Sequence, residues 1–198
     1  MSTSSEVSSH PLADRWVLWK EGANDAGGRS STGMSTADEW KRRLAQIIAV
    51  DTVETFWRVF NHLERVDALP PGVSYNFFRE SVQPLWEDPA NANGGGRWYF
   101  RIERPPKFTK AFGDQVHQTW LCVLMSLIGN KLDFSGLICG AVSSSRAREM
   151  RFMVWVRKGS SEQLLRLGTM LKKNLPFVDK MTYRVHTDRR RTGTALYC

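Results

Sequence analysis

A tryptophan and two carboxylates stand side by side in the segment LWEDPANANGGGRW, residues 85–98. Pro89 follows closely, so Trp86 and Glu87 are predicted to lie at the start of a loop rather than inside a strand. A tryptophan ring can stack on a flat base, and a carboxylate can accept both N–H groups that guanine presents on one edge. The pair therefore predicts a site for a flat, donor-rich ligand. The alternative, with Trp86 in the core and Glu87 solvated, stays open on residue chemistry alone.

Other residues could complete such a site. Trp40 follows a segment rich in Gly, Ser and Thr, residues 22–39, and could form a second plate against the base. Stacking contributes about 1–3 kcal/mol per base, and a cationic ring adds about 0.5–2 kcal/mol. Phosphate groups beyond the base could be held by four arginines: Arg97, Arg146, Arg148 and Arg151.

The sequence carries no catalytic signature. The run NGGGRW, residues 93–98, lacks the GK[ST] ending of a phosphate-binding loop, so a turn is the better interpretation. The four histidines lie far apart, without HxH or HExxH, and the three cysteines have no CxxC spacing. We therefore expect a binding protein rather than an enzyme, with no cofactor and no metal site, in a reducing compartment.

Charge is distributed unevenly along the 198 residues. Residues 1–96 carry 9 Lys and Arg against 13 Asp and Glu, whereas residues 97–198 carry 19 against 7. This asymmetry indicates a face that meets a polyanion, with nucleic acid as the leading candidate; a solvated basic surface is the alternative. The longest apolar run, residues 120–128, is too short to span a bilayer.

Hydrophobic periodicity and capping signals predict the elements that must position these residues. Seven segments predict strands: residues 15–22, 41–50, 74–82, 97–103, 139–147, 150–158 and 180–186. Three segments predict amphipathic helices: residues 51–63, 112–129 and 160–175. Residues 1–9 are interpreted as a disordered tail and residues 186–198 as a basic one. Helices this few would cover one face of an antiparallel sheet, which predicts a single α+β domain over residues 10–198.

The predicted elements and motifs, taken in order, resemble the eukaryotic translation initiation factor 4E family, which binds the 7-methylguanosine cap of messenger RNA. The matching segments are HPLADRWVLW (10–19), DTVETFWRVFNHL (51–63), PLWEDP (84–89), GGRW (95–98), CGAVSSSRA (139–147) and Trp155. The resemblance implies a curved antiparallel sheet of seven or eight strands. It also implies three helices on the convex face and a cap pocket on the concave face.

The resemblance also implies a role for each candidate residue. Trp40 and Trp86 would sandwich the methylated guanine, and Glu87 would accept hydrogen bonds from its edge. The backbone N–H of Trp86 would meet O6, and Trp155 would lie against the N7-methyl group. The arginines would contact the triphosphate, with Arg146 and Arg151 as the main contacts and Arg97 and Arg148 as helpers.

A second surface, the dorsal site, follows from the same resemblance. Its members are His10, Pro11, Val53, Trp57, Leu121 and Met125. They would dock a Tyr-x4-Leu-hydrophobic helix of initiation factor 4G or of a competing repressor, which is helix-in-groove recognition. The alternative is that these residues are ordinary core. We expect a monomer in the cytoplasm, with the nucleus as a second location and no membrane partner.

Two other classes of protein stay open. A translational repressor would bind the cap without recruiting initiation factor 4G. Two features depart from the family pattern: Cys122, where many family members carry a glutamate, and the long loop at residues 22–39. A nucleotide-processing enzyme would need a metal or a base in the pocket and would hydrolyse a cap analogue. The basic run Arg189–Arg191 could reach nucleotides beyond the triphosphate.

Overall fold

The computed structural model describes residues 9–22, 42–129, 132, 136–186 and 196–198. Four sequence predictions therefore lie outside the described residues. They concern the second plate Trp40, the disordered tail up to residue 8, the long loop from residue 23 onward, and the basic run Arg189–Arg191.

Eight strands of the described chain form one curved antiparallel sheet, in the order β2-β1-β3-β5-β6-β4-β7-β8. Their bounds are β1 Pro11–Glu21, β2 Leu44–Thr52, β3 Ser74–Arg79, β4 Gly96–Glu103, β5 Ile138–Ser145, β6 Glu149–Val156, β7 Thr182–Val185 and β8 Leu196–Tyr197. The seven predicted strands are confirmed. The prediction that residues 186–198 form only a basic tail is wrong at β8, which pairs with β7. Two residues are too short to produce a periodic signal.

Four helices of the described residues lie between these strands: α1 Val53–His62, α2 Pro89–Ala92, α3 Lys110–Ile128 and α4 Ser161–Lys173. The three long helices are confirmed, and each starts at a hydroxyl side chain that accepts from a first-turn N–H: Thr52, Thr109 and Ser160. The α4 cap is a reciprocal capping box with Gln163. The four-residue helix α2 was not predicted, and it lies inside the loop that carries Trp86.

The sheet has one face covered by helices and one open face. Phe56 of α1, Trp120 of α3 and Leu167 of α4 all belong to one apolar core, which includes Trp98 of β4 and Phe152 of β6. Because strand side chains alternate between faces, the intervening residues of β4 and β6 point to the open face. No helix in the described part of the chain is long and apolar enough to cross a bilayer.

The pairing of β4 with β6 brings the open-face residues together. Arg97 lies opposite Trp155, and Arg101 lies opposite Arg151. Cβ atoms of directly opposed residues are about 4.5–5.5 Å apart. The first pair defines an aromatic end of this ladder and the second pair an arginine end. The two ends are about 13 Å apart, because they are separated by four residues along the strand.

Candidate functional site

The open face carries a cleft of about 610 Å³. Its lining residues are Trp86, Arg97, Tyr99, Arg101, Val142, Arg146, Glu149, Arg151, Met153, Trp155 and Arg184. Five of them are arginines and one is a glutamate, so the cleft carries excess positive charge. Five predicted site residues are among them, and six others were not predicted: Tyr99, Arg101, Val142, Glu149, Met153 and Arg184.

The loop that carries Trp86 is held by its own polar residues. Asp88 accepts hydrogen bonds from the backbone N–H groups of Gln83 and Ala90, both at 2.9 Å. The buried side chain of Asn91 donates to the carbonyl oxygens of Gln83 and Leu85, at 3.1 and 2.8 Å. These bonds fix the backbone on both sides of Trp86 and account for the short helix α2.

The two adjacent carboxylates therefore have different environments. Asp88 is committed to the loop as the N-cap of α2. Glu87 is exposed and makes no hydrogen bond or ion pair with any residue that the structure describes. Trp86 is 45% exposed, so the interpretation of Trp86 as a core residue is wrong. An exposed ring beside a carboxylate with unused acceptors is available to a ligand.

The glycine run forms a turn, as predicted, and leads the chain from α2 into β4. Gly94 has φ +80°, a left-handed conformation that L side chains rarely adopt. A side chain at Gly96 would collide with the hydroxyl group of Tyr183. These two glycines are required by backbone geometry, which explains the run without a phosphate-binding role.

The aromatic end of the cleft is a cluster of three rings and one guanidinium group. The centroids of Trp86 and Trp155 are 6.3 Å apart with planes at 76°, and His186 lies 4.2 Å from Trp155. The guanidinium of Arg97 stands 5.4 Å from the Trp86 ring and donates from Nη1 to His186 Nδ1 at 3.1 Å. Arg97 and His186 therefore support the two tryptophans.

His186 is a site residue that the sequence did not reveal. It is 4% exposed, and its Nε2 has no hydrogen-bond partner. Burial, with the charge of Arg97, lowers the pKa of His186 from 6.5 to about 3. Because Arg97 can only donate, Nδ1 must accept, which selects the neutral imidazole with its proton on Nε2. Nothing in the spacing of the histidines could have indicated this role.

The depressed pKa of His186 gives a prediction for stability. The unfolded chain takes up this proton below pH 6.5 while the folded protein resists it, so stability is full above pH 6.5 and falls below it. Between pH 6.5 and about pH 5, urea unfolding should lose up to about 2 kcal/mol through this group. His186→Gln should have a shallower pH slope, and the exposed-histidine control His62→Gln should keep the wild-type slope. Equal slopes in wild type and His186→Gln would refute the assignment.

The arginine end of the cleft is organised by Glu149. This buried carboxylate accepts from Arg101 Nη1 at 3.1 Å and from Arg151 Nε. Within the described residues, Arg151 makes no other hydrogen bond, so both of its terminal amino groups stay available. Arg146 lies at the turn between β5 and β6 with an exposed side chain. These groups could hold an anion, and Glu149 orients the guanidinium groups of Arg101 and Arg151.

Arg148 does not line the cleft. Its side chain lines a second depression on the other side of the β5–β6 turn, with Arg104 and Phe108. The sequence could not separate it from Arg146, since two residues in a tight turn can point to different faces. The structure thus brings Trp86, Arg97, Arg146, Arg151 and Trp155 together, with Glu87 next to them, and places Arg148 outside.

The dorsal site lies on the helical side of the sheet. Three of its apolar side chains are more than a third exposed: Val53, Trp57 and Met125. Leu121 is partly buried against the core. Met125 and Cys122 also line a shallow depression of about 220 Å³.

Contacts between elements hold this surface together. The rings of Phe60 on α1 and His117 on α3 stack at 4.9 Å, which joins the two helices. The backbone carbonyl of His10 accepts a hydrogen bond from the N–H of Val53 at 2.9 Å. The ring Nδ1 of His10 lies 2.6 Å from Glu54 Oε1. The hydrogen bond from His10 lowers the pKa of Glu54 to about 2. His10 is thereby fixed at the start of α1, beside the exposed Val53.

Comparison with known sequences gives a consistent match. A family model described as eukaryotic initiation factor 4E matches residues 11–196. Eukaryotic translation initiation factor 4E-1 of Hordeum vulgare subsp. vulgare is 32% identical over 188 residues, 94% of this chain and 79% of that protein. Eukaryotic translation initiation factor 4E of Homo sapiens is 32% identical over 183 residues, 90% of this chain and 76% of that protein. The matched region runs from β1 to β8.

Solved structures match the fold as well. Caenorhabditis elegans eIF4E-3, in complex with the 4E-binding protein Mextli, has a TM-score of 0.81 at 30% identity, covering 96% of this chain and 100% of that chain. Ascaris suum eIF4E-3 in complex with an m7G cap has a TM-score of 0.76 at 31% identity, with coverages of 91% and 93%. The predicted α+β architecture is confirmed.

Proposed function

Because this chain belongs to the eukaryotic initiation factor 4E family, we propose that its cleft binds the 7-methylguanosine cap of messenger RNA for translation initiation. One observation carries the proposal. The exposed pair of Trp86 and Glu87 borders the aromatic end of a cleft, and the arginine end of that cleft lies about 13 Å away along the strands. A cationic, donor-rich base would bind at the aromatic end, and the polyanion joined to it would bind at the arginine end. Members of the family are cap-binding factors rather than enzymes.

The base would be held at the aromatic end. Trp86 provides one plate and Trp40 is proposed as the second, with the methylated ring between them. Glu87 accepts from N1–H and the N2 amino group, and the backbone N–H of Trp86 donates to O6. Trp155 lies against the N7-methyl group. The charged carboxylate favours a base that carries positive charge.

The triphosphate would extend toward the arginine end. Arg146 and Arg151 bind the phosphate oxygens, and Glu149 keeps the guanidinium of Arg151 oriented. Arg97 adds to the positive charge that attracts the phosphates, and it also supports Trp86 and His186. Arginine suits this role because its planar group donates in pairs to phosphate.

Arg151→Ala should separate the phosphate end from the base end. We expect the affinity for 7-methyl-GTP to fall about tenfold or more, since charge-assisted hydrogen bonds contribute about 1.5–3 kcal/mol. Affinity for 7-methylguanosine, which has no phosphates, should change little. Arg58→Ala removes an equal charge from an exposed position on α1 and serves as the matched control. Calorimetric titration at two salt concentrations measures both ligands, and an equal loss for both would assign Arg151 to the fold instead.

The dorsal site is proposed as the docking surface for a partner protein. A Tyr-x4-Leu-hydrophobic helix of a 4G-like scaffold or a 4E-binding repressor would lie across α1 and α3, over Trp57 and Met125. The exposure of these apolar side chains supports the proposal, since such side chains anchor helices in grooves. The related C. elegans structure contains a 4E-binding protein, which is the same class of partner. The function implies a cytoplasmic location.

A cap-binding repressor is the second candidate function. It would share the cleft and differ in its partner. Cys122, which lines a depression with Met125, supports it because the family resemblance implies a glutamate at this position. Binding of a 4G-derived peptide distinguishes the two candidates.

A further inference from the structure

A second depression, the side depression, opens next to the cleft and has a volume of about 660 Å³. Its lining residues are Arg101, Glu103, Arg104, Pro105, Pro106, Phe108, Phe112, Ala147, Arg148 and Glu149. Arg101 and Glu149 also line the cleft, so the two hollows share a wall. A ligand longer than the cleft can therefore continue into the side depression.

The floor of the side depression offers a flat aromatic surface. Phe108 is 58% exposed, the highest value among the large apolar residues of the described chain. Its ring packs against the buried Phe112 with the centroids 5.9 Å apart and the planes at 85°, so it is held in place while more than half of its surface stays exposed. Such a platform stacks on a nucleobase of any identity.

The charges of the side depression leave a net positive potential. Arg101 is neutralised by Glu149 and Glu103, each at 3.1 Å. Arg104 donates to Ser145 Oγ and makes no ion pair with any described carboxylate. Arg148 is exposed and is likewise unpaired within the described ranges. These two arginines favour an anion.

The β5–β6 turn connects the two hollows. Arg146 faces the cleft and Arg148 faces the side depression, and the turn is closed by the N–H of Arg146 donating to the carbonyl of Glu149 at 3.0 Å. The Cα atoms of Arg146 and Arg148 are at most about 7 Å apart, because two residues can span no more than that. The two arginines are therefore close enough to contact successive phosphate groups of one RNA strand.

We propose that the side depression binds the nucleoside that follows the triphosphate of a capped RNA, with its base stacked on Phe108 and its 3′ phosphate held by Arg148. The inference rests on the proposed function, because the triphosphate must first lie at the arginine end of the cleft. It gives Arg148 a ligand different from the triphosphate contact that the sequence resemblance implies.

The test compares three ligands on the full chain: 7-methyl-GTP, a cap dinucleotide with adenosine after the triphosphate, and a capped trinucleotide. Phe108→Ala should weaken the dinucleotide about tenfold and leave 7-methyl-GTP unchanged. Arg148→Ala should weaken only the trinucleotide, which carries the 3′ phosphate. Phe177→Ala, a similarly exposed phenylalanine that lines neither hollow, is the control and should change nothing.

The outcomes distinguish a failure of the proposed cap-binding function from a failure of the nucleoside site in the side depression. If the wild type fails to bind 7-methyl-GTP, the proposed function fails and the inference falls with it. If the wild type binds 7-methyl-GTP but Phe108→Ala binds the dinucleotide normally, only the inference is overturned, and the side depression is left to a protein partner. An equal loss for 7-methyl-GTP and the dinucleotide also overturns it, because Phe108 would then support the fold of the cleft.

Discussion

Replacing Trp57 with alanine is expected to abolish binding of a Tyr-x4-Leu-hydrophobic peptide while leaving 7-methyl-GTP binding within about twofold. Trp57 lies on α1 with 37% of its surface exposed, whereas the cleft is on the opposite face of the sheet. Tryptophans at interfaces are often hot spots whose truncation costs about 2 kcal/mol or more, which is roughly thirtyfold in affinity. The measurement is a peptide titration by fluorescence anisotropy beside a cap titration of the same sample.

Trp57 also touches its own helix, so the result needs a fold control. Its ring packs edge-on against Phe56 at 5.2 Å and Phe60 at 6.1 Å. Circular dichroism and thermal unfolding must show that Trp57→Ala remains folded, and Leu165→Ala on α4 removes a comparably exposed apolar side chain elsewhere. A folded Trp57→Ala that binds its cognate peptide at wild-type affinity contradicts the dorsal site. A wild type that binds a repressor peptide but not a 4G peptide favours the second candidate function.

The long helices of this fold could be predicted because their hydrophobic pattern repeats over several turns. Ten or more residues in α1, α3 and α4 show helical periodicity, and each begins at a Ser or Thr cap. The strand β8 and the helix α2 escaped prediction because two and four residues cannot establish a period. Asp88 in fact caps α2, but the sequence suggested only an acidic pair beside a tryptophan.

The candidate site could be predicted only where a motif marks it. Trp86 and Glu87 stand out because they are adjacent and closely followed by Pro89, which indicates a loop, and the arginines stand out by family resemblance. Arg101 and Glu149 resemble solvated residues in sequence, and the strand register is what brings them to the cleft wall. His186 required knowledge of burial, since a histidine at a strand end gives no signal of its contact with Trp155.

The central claim is that the cleft selects a base by its positive charge. Methylation at N7 makes guanine cationic, and a cation over an aromatic ring gains about 0.5–2 kcal/mol, to which the charge of Glu87 adds. The guanine base of GTP is uncharged, so GTP has the same hydrogen-bonding edge and the same phosphates but lacks this cation–π attraction. Affinity for 7-methyl-GTP should therefore exceed that for GTP by about tenfold or more.

Tryptophan fluorescence during titration with 7-methyl-GTP and with GTP tests this claim most directly. We expect 7-methyl-GTP to quench the emission and bind at least about tenfold more tightly than GTP. Trp86→Ala should lose most of that affinity and much of the quenching, since stacking contributes about 1–3 kcal/mol. The fold should be retained, because the exposed ring lies outside the hydrophobic core. Equal affinity of the wild type for the two nucleotides would contradict the account.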